Sequence, residues 1–82
     1  MQHKYHEYFQ LYNFPQELRA DCNSLTLVNT GTAIAILNGL QILPGDQYVI
    51  LGNENEVNIS RYRLSFTGAG TEEILCIRKI YV

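Results

Sequence analysis

The sequence predicts a small all-β protein, built as an antiparallel sandwich or a jelly-roll-like barrel of six or seven strands. Short segments with alternating apolar and polar residues recur at close spacing, and Ile59–Phe66 has the clearest alternation. Asn38-Gly39 and Pro44-Gly45-Asp46 separate neighbouring segments with residue types that tight turns favour. The 82 residues fit a single domain, residues 1–82.

The composition favours a protein that makes lasting contacts with other chains. Apolar residues make up 46% of the chain and charged residues 17%, so the surface has fewer charged side chains than that of a typical soluble domain. A domain of this size buries a modest fraction of its surface, so self-association would add useful burial. The net charge of −2 argues against a general nucleic-acid-binding surface, because capture of phosphates needs clustered Lys and Arg.

The N-terminal segment, residues 1–15, is rich in aromatic residues. Tyr8, Tyr12 and Phe14 alternate with other residues as on one face of a strand, although the same segment also approximates helical spacing. Tyr and Phe prefer strands and no helix N-cap precedes them, so we favour a strand. The segment is expected to be an edge strand or an arm that orders against a partner.

Pro15 ends this segment because proline cannot donate to a strand ladder. The following Gln16–Asn23 has a helical composition and is predicted to be a connection. Ser24–Asn29 has the period of a half-buried strand, with Leu25 and Leu27 on one face.

The central hairpin can be predicted in register. If Asn38-Gly39 forms a type I′ turn, Leu37 faces Leu40, and the further pairs are Ile36 with Gln41, Ala35 with Ile42, and Ile34 with Leu43. One face then carries Ala33, Ala35, Leu37, Leu40 and Ile42, and the other carries Ile34, Ile36, Gln41 and Leu43. Both faces are largely apolar, which indicates a position between two layers or at a subunit contact.

Three further segments complete the prediction. Gln47–Leu51 is expected to be a strand, Gly52–Asn58 a polar loop, and Ile74–Val82 the last strand, paired within a sheet. Three side chains on one face of Ile59–Phe66 are predicted to enter the core: Tyr62, Leu64 and Phe66.

No grouping of residues indicates catalysis or a cofactor, and the chain is predicted not to be an enzyme. His3 and His6, with Glu7, come nearest to a metal cluster, but a structural site needs about four ligands. We interpret this N-terminus as mobile or packed in an interface. The acidic and Asn-rich loop residues do not have the spacing of a calcium loop.

The two cysteines, Cys22 and Cys76, do not make a disulfide framework. Cys76 lies in an apolar run and is interpreted as a small buried hydrophobe, but the sequence leaves open whether the two are paired. The N-terminus lacks an apolar signal segment, and no run reaches the roughly 18 apolar residues of a membrane span. Synthesis in a cytoplasm is therefore expected.

One part of the sequence resembles a known group of proteins. The resemblance covers about Leu25 to Phe66 and follows the order Asn29-Thr30-Gly31-Thr32, Asn38-Gly39, Leu43-Pro44-Gly45-Asp46, Gly52-Asn53-Glu54-Asn55-Glu56 and the strand RYRLSF. This pattern is similar to that of small proteins encoded by bacteriophages and related elements of Bacteroidetes-type hosts. The resemblance implies a virion component, such as a minor capsid, decoration, penton or spike-base subunit. It specifies turns, so no functional residues carry over.

The resulting hypothesis is a non-enzymatic structural protein of a phage particle that forms a homo-oligomer and contacts other virion proteins. The expected location is the virion. The candidate interface residues are Tyr5, Tyr8, Phe9, Tyr12, Ile34, Ile36 and Leu43.

The alternative is a small ligand-binding module. A carbohydrate site would place exposed aromatic residues such as Tyr8, Tyr12 or Tyr48 around a concavity. A site for single-stranded nucleic acid would use Arg61 and Arg63 as a basic stripe beside tyrosines, with Arg78 and Lys79 as optional additions. The ordinary interpretation of those arginines is a soluble outer face of a strand.

Overall fold

A computed structural model describes residues 4–82, which form eight β-strands and no helix. The strands are β1 (Tyr5–Tyr12), β2 (Gln16–Arg19), β3 (Ser24–Asn29), β4 (Ile34–Leu37), β5 (Leu40–Ile42), β6 (Gln47–Ile50), β7 (Arg61–Thr67) and β8 (Ile74–Tyr81).

The strands form two four-stranded sheets that pack together as a sandwich-like fold. Sheet I has the order β1-β8-β3-β6 and sheet II has the order β2-β7-β4-β5. Every pair of neighbours is antiparallel. The all-β antiparallel sandwich predicted from the sequence is confirmed, with one strand more than the upper end of the predicted range.

The additional strand is β2, and here the prediction of a connection was wrong. Gln16–Arg19 pairs with β7 over four residues. Leu18, opposite Tyr62, is buried, while Glu17 and Arg19 point outward. Helical composition is a weak preference, and pairing with a neighbouring strand together with burial of one leucine outweighs it.

The core lies between the sheets and is built by the alternation that the sequence predicts. Along β3, Leu25 and Leu27 are fully buried while Ser24, Thr26 and Val28 are half-buried. On β7, Leu64 is buried and Tyr62 and Phe66 pack against the core, as expected. The other main core side chains are Leu18, Ala35, Leu37, Ile42, Ile74 and Cys76.

The central hairpin has the predicted turn and register. Asn38 (φ 49°) and Gly39 (φ 86°) both have the positive φ that a type I′ turn requires. Leu37 pairs with Leu40, and the two following pairs are those predicted. Because β5 ends at Ile42, the fourth predicted pair, Ile34 with Leu43, is not part of the ladder.

The Pro44-Gly45 turn carries the chain from sheet II to sheet I, and a buried asparagine holds it in place. Gly45 takes the left-handed conformation, with φ 85°. The backbone N–H of Gly45 donates to the carbonyl oxygen of Asn29 at 2.9 Å. The Asn29 side chain donates in turn to the carbonyl oxygens of Ala33 (2.9 Å) and Ile42 (2.8 Å). One residue thus connects β3 to the start of the hairpin, just before β4, and to its last residue, at the end of β5.

Candidate interaction surface

The outer face of sheet I carries apolar side chains on all four of its strands. Ile74 and Cys76 of β8 point into the core, so Leu75 and Ile77 point outward. Two rows of side chains cross the sheet on that outer side. The first is Phe9, Ile77, Thr26 and Val49, and the second is Leu11, Leu75, Val28 and Gln47.

We call the apolar members of these rows the apolar face: Phe9, Leu11, Val28, Val49, Leu75 and Ile77. Exposure is highest at the sheet edges, with 63% for Phe9, 59% for Leu11 and 42% for Val49. The central members are half-buried by their neighbours in the sheet. Sheet II covers only the opposite side of sheet I, so no second layer lies on the apolar face among residues 4–82. Contiguous apolar surface of this kind is typical of an interaction site.

Beyond these rows the outer face of sheet I ends in a charged and aromatic cluster. Lys79 Nζ lies 4.2 Å from the ring centroid of Tyr5 and 5.0 Å from that of Tyr81. The two rings meet edge to face at 6.0 Å. Glu7 lies opposite Lys79 in the register. Contacts between a cation and aromatic rings at partly exposed sites contribute about 0.5–1 kcal/mol, so this cluster helps to fix the ends of β1 and β8.

The structure distributes the candidate interface residues over three places. Tyr5 and Phe9 lie on the outer face of sheet I. Tyr8 and Tyr12 point to its inner side, where Tyr8 stays 52% exposed while Tyr12 is 7% exposed and belongs to the core. The remaining candidates, Ile34, Ile36 and Leu43, belong to sheet II or to the turn that leaves it.

The outer face of sheet II is mixed rather than apolar. Ile36 lies between Ser65 of β7 and Gln41 of β5, and Ile34 lies opposite Thr67. Both isoleucines are half-buried by these neighbours. Polar neighbours therefore interrupt the second apolar side of the hairpin, whereas the apolar face of sheet I extends over four strands.

Sequence reasoning missed most of the apolar face, namely Leu11, Val28, Val49, Leu75 and Ile77. These residues come from four strands. They meet because β8, at the end of the chain, inserts between β1 and β3. Within Ser24–Asn29, the alternation placed Val28 on the side opposite Leu25 and Leu27. For these five residues, it was the one feature of the sequence that pointed to the outer side of sheet I.

Arg78 has a structural role on the inner side of sheet I. Its Nη2 donates to the hydroxyl of Tyr12 and to the carbonyl oxygen of Arg19, both at 2.7 Å. Its Nε lies 3.1 Å from the carbonyl oxygen of Ala20. The Tyr12 hydroxyl donates to Gln10 Oε1 at 3.0 Å, which closes the network. The guanidinium thus joins sheet I to the last residue of β2 and to the residue that follows it.

The proposed basic stripe is not assembled as one surface. Arg61 and Arg63 are exposed on the outer face of sheet II, and Arg61 Nε lies 3.6 Å from Glu17 Oε1. Arg78 faces the interior of the sandwich, and Lys79 lies on the outer face of sheet I. Four cations on three different faces do not form a track for a phosphate backbone.

The three tyrosines considered for carbohydrate binding do not converge either. Tyr48, 37% exposed, borders an open concavity of about 460 Å³ between the β5 and β6 edges. Tyr8 lies on β1, at the opposite edge of sheet I, and Tyr12 is buried. The concavity is lined by Leu40, Gln41, Ile42, Gly45, Asp46, Gln47 and Tyr48.

The potential metal ligands and thiols show no assembled reactive centre among residues 4–82. No group of three or more His, Cys, Asp or Glu side chains in that range is placed to hold a metal ion. His3 of the proposed cluster lies outside the described residues. Cys22 and Cys76 are both buried and free, so the pairing that the sequence left open is not formed. Burial raises the pKa of the Cys76 thiol to about 11 and also raises that of Cys22.

Comparisons with protein-family models, with curated proteins and with solved structures gave no significant match. Within residues 4–82, no helix is long and apolar enough to cross a membrane. The class defined by the fold is an antiparallel β-sandwich-like domain with one uncovered apolar sheet face.

Proposed function

We propose that this protein is a non-enzymatic structural protein of a phage particle that acts through homo-oligomeric contacts. The observation that carries the proposal is the apolar face of sheet I, in which Phe9 and Leu11 are more than half exposed. The phage setting is supported by the resemblance of Leu25 to Phe66 to small phage-encoded proteins. A minor capsid, decoration, penton or spike-base subunit repeats one surface many times, which suits this arrangement.

Because the domain is small, burial of the apolar face against a partner would add substantially to its stability. Burial of apolar surface contributes roughly 25 cal/mol per Å², and standard protein interfaces bury about 800 Å² on each partner. The apolar face crosses all four strands of sheet I, from Phe9 on β1 to Val49 on β6. A surface of this breadth supplies a hydrophobic interface centre, and Glu7, Ser24 and Lys79 supply a polar rim.

The reactive side chains support a structural role because they are engaged in the fold. The Arg78 guanidinium is bound by backbone carbonyl oxygens and by Tyr12. Both thiols are buried, and their raised pKa values keep them protonated and unreactive at neutral pH.

A pair of valine variants tests the proposal. Val49→Glu places a carboxylate on the apolar face, whereas Val57→Glu makes the same change in the loop between β6 and β7. The two side chains are 42% and 63% exposed, so neither change should disrupt the core. We expect Val49→Glu to lower the mass of the assembly in sedimentation velocity and to reduce its incorporation into particles. Val57→Glu should behave as wild type, and equal behaviour of the two variants would contradict the proposal.

A second candidate function is a small carbohydrate-binding module. The observation in its favour is the concavity of about 460 Å³, where the Tyr48 ring lies beside Gln41, Asp46 and Gln47. An aromatic ring next to several polar groups suits stacking and hydrogen bonding to a sugar. Binding on a glycan array that is lost in Tyr48→Ala would support this function, and the absence of any bound glycan would remove it.

A further inference from the structure

We propose that β1 pairs in antiparallel orientation with β1 of a second copy, which joins two four-stranded copies of sheet I into one sheet of eight strands. This inference rests on the proposed homo-oligomer and specifies the contact that begins it. It concerns the backbone edge of β1 that no other strand within residues 4–82 covers, which is distinct from the apolar side chains on the face of the sheet.

The backbone of β1 offers its unpaired groups in a defined alternation. The N–H of Val82 donates to the carbonyl oxygen of Lys4 at 2.9 Å, in continuation of the register that pairs Tyr5 with Tyr81. In an antiparallel ladder, hydrogen-bonded and non-hydrogen-bonded pairs alternate. Residues with even numbers in β1 therefore bond to β8. The N–H and C=O groups of the other residues point to the free edge: Tyr5, Glu7, Phe9 and Leu11.

The other three sheet edges are short or charged. β2 has four residues and carries Glu17 and Arg19, β5 has three residues, and β6 has four. β1 has eight residues, and only Glu7 is charged among those whose backbone groups are free. Proteins usually protect edges by shortness, proline, lysine or bulges, and a long apolar edge without them pairs with another strand.

A second copy is the occupant that fits this edge, because β1 complements itself. An antiparallel pair with its two-fold axis at Tyr8 or Phe9 aligns the free backbone groups of both strands. Of the two, an axis at Phe9 also places the Phe9 side chains of both copies side by side on one outer surface, with Leu11 of each copy opposite Glu7 of the other. With that axis, the row that contains Phe9 and Ile77, which stops at the β1 edge, would continue into the same row of the second copy. An axis at Glu7 would set two carboxylates opposite each other and is disfavoured.

Proline at position 7 tests the edge contact selectively. Glu7→Pro removes an N–H that points to the free edge and leaves the bonds between β1 and β8 in place. Glu7→Ala is the matched control, since it removes the same carboxylate but keeps the N–H. We expect Glu7→Pro to remain folded by circular dichroism and to lose the edge-paired dimer in light scattering. Glu7→Ala should keep that dimer.

Amide hydrogen exchange of the wild-type protein, read residue by residue, gives an independent result even if the proline variant unfolds. Pairing predicts slow exchange at Glu7, Phe9 and Leu11 as well as at the residues bonded to β8. Fast exchange at those three amides in the assembled wild-type protein, or a dimer that survives in folded Glu7→Pro, would overturn the pairing.

The outcomes separate this inference from the proposed function. If the edge amides exchange quickly while Val49→Glu still dissociates the assembly, the homo-oligomer stands and the edge contact fails. If the wild-type protein is monomeric at every concentration, the proposed homo-oligomer itself fails. Protection of the edge amides only after a different virion protein is added would assign the edge to that protein and overturn pairing between copies.

Discussion

Asn29 shows how single residues hold the two sheets of this protein together. Its side chain is 1% exposed, donates to two carbonyl oxygens and accepts a hydrogen bond from the N–H of Gly31 at 3.0 Å. Asn23, 5% exposed, holds the loop that follows β6, since its Nδ2 donates to the carbonyl oxygen of Glu56 at 2.6 Å. A buried amide is favourable only when its partners are present, so both residues fix specific chain positions.

The buried thiol of Cys76 leads to a prediction about pH. Burial raises its pKa in the folded protein to about 11 from an ordinary value of 9.0. A raised folded pKa contributes stability that is complete below pH 9 and is lost as the pH rises toward 11, because the unfolded chain ionises first. The difference in the free energy of unfolding between wild type and Cys76→Ala should therefore shrink over that range.

Chemical denaturation of both proteins at several pH values between 7 and 11 measures this difference. Alanine does not titrate, so changes common to both proteins cancel. A difference that stays constant up to pH 11 would show that the thiol has the same pKa in the folded and unfolded chain.

At the scale of elements, the two glycines that flank β5 and β6, Gly39 and Gly52, differ in what they require. Gly39 has φ 86° and open space around the position of a side chain. At Gly52 a side chain would meet the backbone carbonyl oxygen of Asn23. The first glycine is needed for its backbone conformation and the second for close approach of two chain segments.

Alanine substitutions distinguish these requirements. Gly39→Ala should lower the free energy of unfolding by about 1 kcal/mol, the cost of a positive φ for a residue with Cβ. Gly52→Ala should cost more, about 1–3 kcal/mol, because backbone has to move and Asn23 loses its alignment with the loop. Urea denaturation of the two variants measures both values. A smaller loss for Gly52→Ala than for Gly39→Ala would contradict this account.

The sequence predicted the strands and turns that are specified by patterns within a short stretch of the chain. The Asn38-Gly39 turn fixes a register within ten residues, and β3 shows its buried side by simple alternation. β2 was missed because Gln16–Arg19 becomes a strand only by pairing with β7, more than 40 residues later. The apolar face could not be predicted for the same reason, since its rows exist only after Tyr12 has paired with Ile74 across most of the chain.

The whole molecule has two unlike outer surfaces. Sheet I presents the apolar face, while sheet II presents Glu17, Arg61 and Arg63 with Ser65 and Thr67. An assembly that covers sheet I leaves sheet II at the solvent or against a polar neighbour. A symmetric face-to-face pair that buries sheet I would present sheet II on both of its outer sides.

The mass of the wild-type protein in solution tests the central claim, self-association, most directly. Light scattering after size exclusion at micromolar concentration should give at least twice the 9.4 kDa of one chain. A single monodisperse species of 9.4 kDa under these conditions would contradict the account.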